Sequence, residues 1–154
     1  MVDLALPYPW SWHPEDWAPY DFGHQDGTRL EVKQSSALQS WPTTKPSKPT
    51  FDIKPRTGFW EGANWTAQIG RNADIYVFAY HPITDAAADH RDPRQWQFYV
   101  VPTTALPNFQ TITLGSVAKL TEPVPVERLL DAVERAREAF LAASLQSIEQ
   151  QANG

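Results

Sequence analysis

Apolar and aromatic residues gather in short runs separated by proline-rich and polar stretches, and only after residue 125 do they settle into a helical period. Two runs are nearly continuous: Ala73-Asp74-Ile75-Tyr76-Val77-Phe78-Ala79-Tyr80, ending at His81-Pro82, and Gln95-Trp96-Gln97-Phe98-Tyr99-Val100-Val101, closed by Pro102. Runs of this length and composition predict core strands. The polar link between them carries Asp85, Asp89, Asp92 and two arginines, and predicts a surface connection between antiparallel neighbours. A third strand follows from alternation, with Leu30, Val32 and Gln34 on one face and Glu31 and Lys33 on the other. It is joined to Tyr20-Asp21-Phe22 by a polar turn whose Asp26-Gly27 pair suits a tight hairpin. Tyr20 and Phe22 share a face, so Asp21 points away from them.

Weaker patterns fill in the remainder. Thr50 to Lys54 predicts a strand with Phe51 and Ile53 on one face, and Thr111 to Leu114 a short edge strand. Residues 36–41 predict a short helix or turn stopped by Pro42, Thr103 to Leu106 a helical turn, and Gly58 to Gly70 a loop anchored by Trp60 and Trp65. From Pro125, Val126, Leu129, Leu130, Val133, Ala136, Phe140, Ala143 and Ile148 recur at three and four residues. That spacing predicts an amphipathic helix over 125–150, packed across the sheet, with its last residues frayed. Residues 1–19 form an arm dense in Pro and Trp, where a long helix is excluded. There is no internal repeat and no domain-separating linker, so 1–154 is expected to be one domain with a mixed α/β sheet.

Composition narrows the class. With 42% hydrophobic and 12% aromatic residues among 154, the chain can bury a substantial interior. It holds no cysteine, which excludes disulfides and thiolate metal sites and fits a reducing cytoplasm. No run reaches membrane-span length, so a soluble, intracellular protein is expected. The net charge of −5 argues against a protein that coats nucleic acid, but allows one that meets DNA locally. Lys45, Lys48, Lys54, Arg56 and Arg71 are the basic residues available for such a strip, or for an ordinary solvated loop.

The hairpin carries the candidate chemistry. Asp21, Glu31 and Lys33 can converge on one surface of adjoining strands. Two neighbouring carboxylates repel unless a cation sits between them, and hard divalent ions prefer oxygen ligands. A lysine beside that cation can orient a water molecule. The four histidines, His13, His24, His81 and His90, show no pair at helical zinc spacing. His24 reads as a solvated turn residue, with contact to a substrate phosphate as the alternative. Asp85, Asp89 and Asp92 lack the glycine and glutamate of a calcium loop, and no Gly-rich phosphate loop or nucleophile elbow is present.

Asp21, followed ten residues later by Glu31-Val32-Lys33 and then by Gln34-Ser35-Ser36-Ala37-Leu38-Gln39, resembles the PD-(D/E)xK nuclease superfamily of restriction-endonuclease-like fold. The strands Arg71 to Phe78 and Gln95 to Val100 are similar to those of a bacterial group within it, so the resemblance covers most of residues 17–120. It implies a central mixed sheet flanked by helices and magnesium- or manganese-dependent cleavage of DNA phosphodiester bonds. Asp21, Glu31 and the Val32 backbone carbonyl would hold Mg²⁺ or Mn²⁺, Lys33 would steer the attacking water, and Gln39 would face the site. A second acidic-x-lysine triplet, Asp52-Ile53-Lys54, is flanked by proline and has no strand-borne acid just upstream, so it reads as an edge strand with a basic end. Members of the superfamily usually begin with a helix bearing a glutamate. Here the residues ahead of Asp21 are proline-rich, and Glu15 is the sole glutamate among them. Three outcomes stay open: Glu15 takes that place, a homodimer partner completes the site, or the protein is a non-catalytic interaction or regulatory subunit. The missing helix also leaves one sheet face for the C-terminal helix or a dimer partner to cover.

Overall fold

The computed structural model describes residues 2, 5–15, 18–38, 49–61 and 63–154, with the backbone course alone over 56–61 and 65–69. Its centre is a five-stranded mixed sheet. In chain order the strands are β1 (Trp10–Trp12), β2 (Phe22–His24), β3 (Arg29–Ser36), β7 (Ile75–His81) and β8 (Gln97–Pro102), adjacent in that same order. Only the β3–β7 pair is parallel, with Leu30 opposite Ile75 and Lys33 opposite Phe78. The crossover between them holds β4 (Thr50–Asp52), β5 (Arg56–Glu61) and β6 (Asn64–Gly70). After β8 come β9 (Thr111–Thr113), α1 (Leu114–Leu120) and α2 (Leu129–Ala152), with β9 pairing antiparallel to β4.

Strand alternation sorts the core into two layers. Leu30, Ile75, Val77, Ala79, Phe98 and Val100 face one side, where Trp10 and Phe22 join them under Leu129, Val133 and Ala136 of α2. Tyr76, Phe78, Tyr99 and Val101 face the other, against Phe51, Ile53, Ile112 and Val117. Both faces of β7 are therefore buried, which is why its sequence is continuously apolar rather than alternating. The face that the sequence left open is covered by α2, and the opposite one by the β4–β9 pair with α1. The parallel register is locked at its start by Arg29 and Asp74. The Arg29 amide, Nε and Nη2 reach the Asp74 carboxylate at 2.9, 3.2 and 2.8 Å, and the Asp74 amide donates back to the Arg29 carbonyl. In the β2–β3 turn, Gly27 takes a φ of +94°, a left-handed conformation that suits glycine.

Four expectations are corrected. Residues 58–70 belong mostly to an antiparallel β5–β6 hairpin rather than a loop. Phe59, Trp60, Trp65, Thr66 and Ile69 carry strand propensity, while Gly58 sits at a register shift beside Arg56 and Gly70 at the end of β6 with φ +137°. Helix α1 is additional. Its N-terminus is capped by the Thr113 hydroxyl accepting from the Ser116 amide, and its Val117 is fully buried. Helix α2 is preceded by a 3₁₀ turn over Val126–Arg128, so it starts later than Pro125 and runs to Ala152. Only its first half packs on the sheet, since Ala143 is exposed and Leu145 and Ile148 are 63% and 62% exposed. Among the described residues no helix is long and apolar enough to cross a membrane.

Candidate active site on the β2–β3 hairpin

Hydrogen bonding of the hairpin fixes where the three ionisable groups stand. Phe22 lies opposite Leu30 and Gly23 opposite Arg29. The Asp21 amide donates at 3.0 Å to the carbonyl of Leu30, the residue already opposite Phe22, so the regular ladder ends at Phe22 and Asp21 stands in the bend just ahead of β2. Successive residues of a strand point to opposite faces. Phe22 and Leu30 are buried beneath α2, which puts Glu31 on the other face. The Asp21 carboxylate reaches further along β3, where its Oδ2 accepts from the Val32 amide at 2.7 Å. On a strand the N–H and C=O of one residue point to the same edge. The Val32 carbonyl therefore opens toward the Asp21 side.

Lys33 is two residues beyond Glu31, hence on the same face, and its Nζ lies 2.6 Å from Glu31 Oε1. The Glu31 side chain is 9% exposed and that of Lys33 24%, so the pair is largely withdrawn from water. In the parallel register Glu31 stands beside Tyr76 and Lys33 beside Phe78, whose stacked rings supply an apolar wall. A charge-assisted hydrogen bond in such surroundings is stronger than one in water.

The structure thus joins Asp21 to the Val32 amide and Glu31 to Lys33 on the same stretch of β3. Gln39, Lys45 and Lys48 lie outside the described residues, as does the side chain of Arg56. Lys54 is exposed. Arg71 is committed elsewhere, because its guanidinium donates to the carbonyls of Ile53, Pro107 and Phe109 and braces the loop after β8. His24 falls on the α2 side of the sheet, edge-on to the Trp10 ring at 4.9 Å and opposite to the face of Glu31 and Lys33, so it does not face a phosphate held by that pair. Glu15 is exposed. In place of a leading helix, the described residues ahead of Asp21 provide strand β1, paired with β2.

One residue near the site escaped the sequence reading. The His13 amide donates to the Asp21 carbonyl at 2.7 Å. Its imidazole crosses the Gly23 face of β2, where Nε2 would meet a Cβ on Gly23 at 3.1 Å, and it packs edge-on to Tyr20. Glycine at position 23 is what admits the ring. No spacing rule links residue 13 to residue 23, so only the β1–β2 pairing discloses it.

Among the described residues no three His, Asp or Glu side chains converge as metal ligands. Two carboxylates and a carbonyl still suit Mg²⁺ or Mn²⁺, since Mg²⁺ keeps several waters and commonly takes only one or two protein carboxylates. Comparison of the chain with protein-family models, with curated proteins and with solved structures gave no match.

Proposed function

We propose that this protein is a metal-dependent endonuclease that hydrolyses DNA phosphodiester bonds on the β2–β3 hairpin, in a restriction-endonuclease-like architecture. The observation that supports the reading is the Asp21 carboxylate at the Val32 amide, between Glu31 and Lys33, which pair with each other on a strand that runs parallel to β7. Asp21, Glu31 and the Val32 carbonyl would hold Mg²⁺ or Mn²⁺. The ion, when bound, offsets the charge that builds on the phosphate during displacement. Lys33 donates its Nζ protons toward the attacking water and a phosphate oxygen, which orients the first and stabilises the second. Tyr76 and Phe78 exclude water beneath the pair and strengthen these interactions. Exposed Lys54, with Lys45, Lys48 and Arg56, supplies positive charge for the DNA backbone.

A plasmid assay tests this directly. With Mn²⁺ or Mg²⁺ the wild type should nick or linearise supercoiled DNA, and Glu31→Ala and Lys33→Ala should each lose activity by at least about 100-fold, the scale of removing one transition-state contact. Cleavage that survives both substitutions refutes the site.

A non-catalytic subunit of the same architecture is the second reading. It is favoured by the Glu31–Lys33 contact, which already neutralises the carboxylate. Calorimetric titration with Mn²⁺ separates the two. Heat that disappears in Glu31→Ala supports the nuclease, whereas absence of binding in the wild type supports the subunit.

A further inference from the structure

On the opposite sheet face from Glu31 and Lys33, at the end of β7, His81 is fully buried. Its Nε2 lies 2.9 Å from the Gln95 Oε1. The orientation of that amide is fixed twice, since Gln95 Nε2 donates to the Ala87 carbonyl and its Oε1 accepts from the Asp89 amide. Oε1 is therefore the acceptor, and the His81 hydrogen sits on Nε2. Nδ1 is left as a bare lone pair, and it is buried without a hydrogen-bond partner. Native structures rarely leave such an atom unexplained.

The neighbour of that ring is another imidazole. His90, on the exposed link between β7 and β8, has its ring centre 4.5 Å from that of His81, tilted by 54°. Its backbone is pinned, because Trp96 Nε1 donates to the His90 carbonyl at 3.1 Å, and the Trp96 ring packs edge-on to His81 at 5.1 Å. A histidine whose one nitrogen donates to a fixed carbonyl while the other is bare has the arrangement seen in metal-ligating imidazoles. An ion about 2 Å from one nitrogen of each ring, with the two ligands at a right angle, sets the ring centres about 4.5 Å apart. Right-angled nitrogen ligation with water in the remaining positions suits tetragonal Cu(II) or Ni(II) rather than tetrahedral zinc.

We propose that His81 Nδ1 and His90 form a two-imidazole site for a divalent transition-metal ion of the Cu(II) or Ni(II) type, distinct from the hairpin carboxylates. His90 opens to solvent and is the entry side, while Gln95 holds His81 in the ligating tautomer.

The test is a Cu(II) titration of the full chain followed by electron paramagnetic resonance. The wild type should bind one ion with coupling from two imidazole nitrogens. His90→Ala should weaken binding at least tenfold and remove one nitrogen from the pattern, and His13→Ala, on the other face, should leave both unchanged. Nitrogen-15 NMR of the metal-free wild type should show His81 protonated on Nε2 with Nδ1 bare, a measurement that needs no variant. Equal copper binding by the wild type and His90→Ala, or a proton on His81 Nδ1, overturns the proposal.

Discussion

Asn in place of Asp26 removes one charge from the turn that joins β2 to β3, and the structure fixes the pH window in which that charge matters. Asp26 Oδ1 accepts from the Thr28 amide at 2.9 Å, and Oδ2 meets Arg137 Nη1 at 2.8 Å. Arg137 also grips Glu134 Oε2, and Glu134 Oε1 accepts from Trp10 Nε1 at 3.0 Å, so one polar network ties β1, the turn and α2 together. Burial alone would raise the Asp26 carboxyl. The Thr28 amide, the Arg137 guanidinium and His24 outweigh it and hold the pKa down to about 2, against an ordinary 3.8. At about 1.4 kcal/mol per pH unit this drop corresponds to roughly 2.5 kcal/mol. The side chain is 30% exposed, and solvent screening brings the usable part to about 1 kcal/mol.

Because the folded pKa is depressed, this stability is fully present above about pH 4 and is lost as pH falls through 2. Urea denaturation of the wild type and Asp26→Asn between pH 7 and pH 2 checks it. The variant should be about 1 kcal/mol less stable at pH 7, and the gap should nearly close by pH 2. A gap of the same size at both ends of the range would refute the electrostatic account and point to a packing effect. Equal stability at pH 7 would refute the network itself.

Two further perturbations probe the frame. Arg29→Ala leaves the buried Asp74 carboxylate without its guanidinium partner. The expected loss is about 2 kcal/mol, below that of a fully buried pair because Arg29 is partly exposed, and a urea midpoint equal to the wild type would show that the clamp is dispensable. Along α2, Val133→Ala should cost about 2 kcal/mol, whereas Leu145→Ala should stay within about 0.5 kcal/mol, since the first side chain is fully buried and the second largely exposed. Comparable thermal shifts in the two variants would mean that the far half of the helix is packed in solution.

The sequence was legible where one physical rule dominated. Leu30 and Val32 against Glu31 and Lys33 show a period of two, and the runs at 75–81 and 97–102 are apolar because both faces of those strands are covered. The pairing of β2 with β3 followed from that alternation with the Asp26-Gly27 turn. Reading failed where signals competed. Gly58 and Gly70 masked the strand propensity of Phe59, Trp60 and Ile69, although one of these glycines marks a register shift and the other a strand end. Gly115 similarly hid α1 behind the cap that Thr113 provides. The periodic stripe on α2 was real over Leu129, Val133 and Ala136, but periodicity says nothing of where the sheet beneath a helix stops. His81 and His90 were dismissed for lack of helical spacing, yet the bend between β7 and β8 brings their rings together.

The parallel pairing of β3 with β7 has a kinetic consequence. Hairpin partners such as β2 with β3 and β7 with β8 are close in sequence and can associate early, whereas β3 finds β7 only after the intervening 37–74 segment has been looped out. The entropy of closing that loop is lost before its contacts form. The central seam of the sheet should therefore assemble late, with the Arg29–Asp74 contact among the last to form. Stopped-flow refolding of Arg29→Ala should then show a nearly unchanged folding rate and faster unfolding.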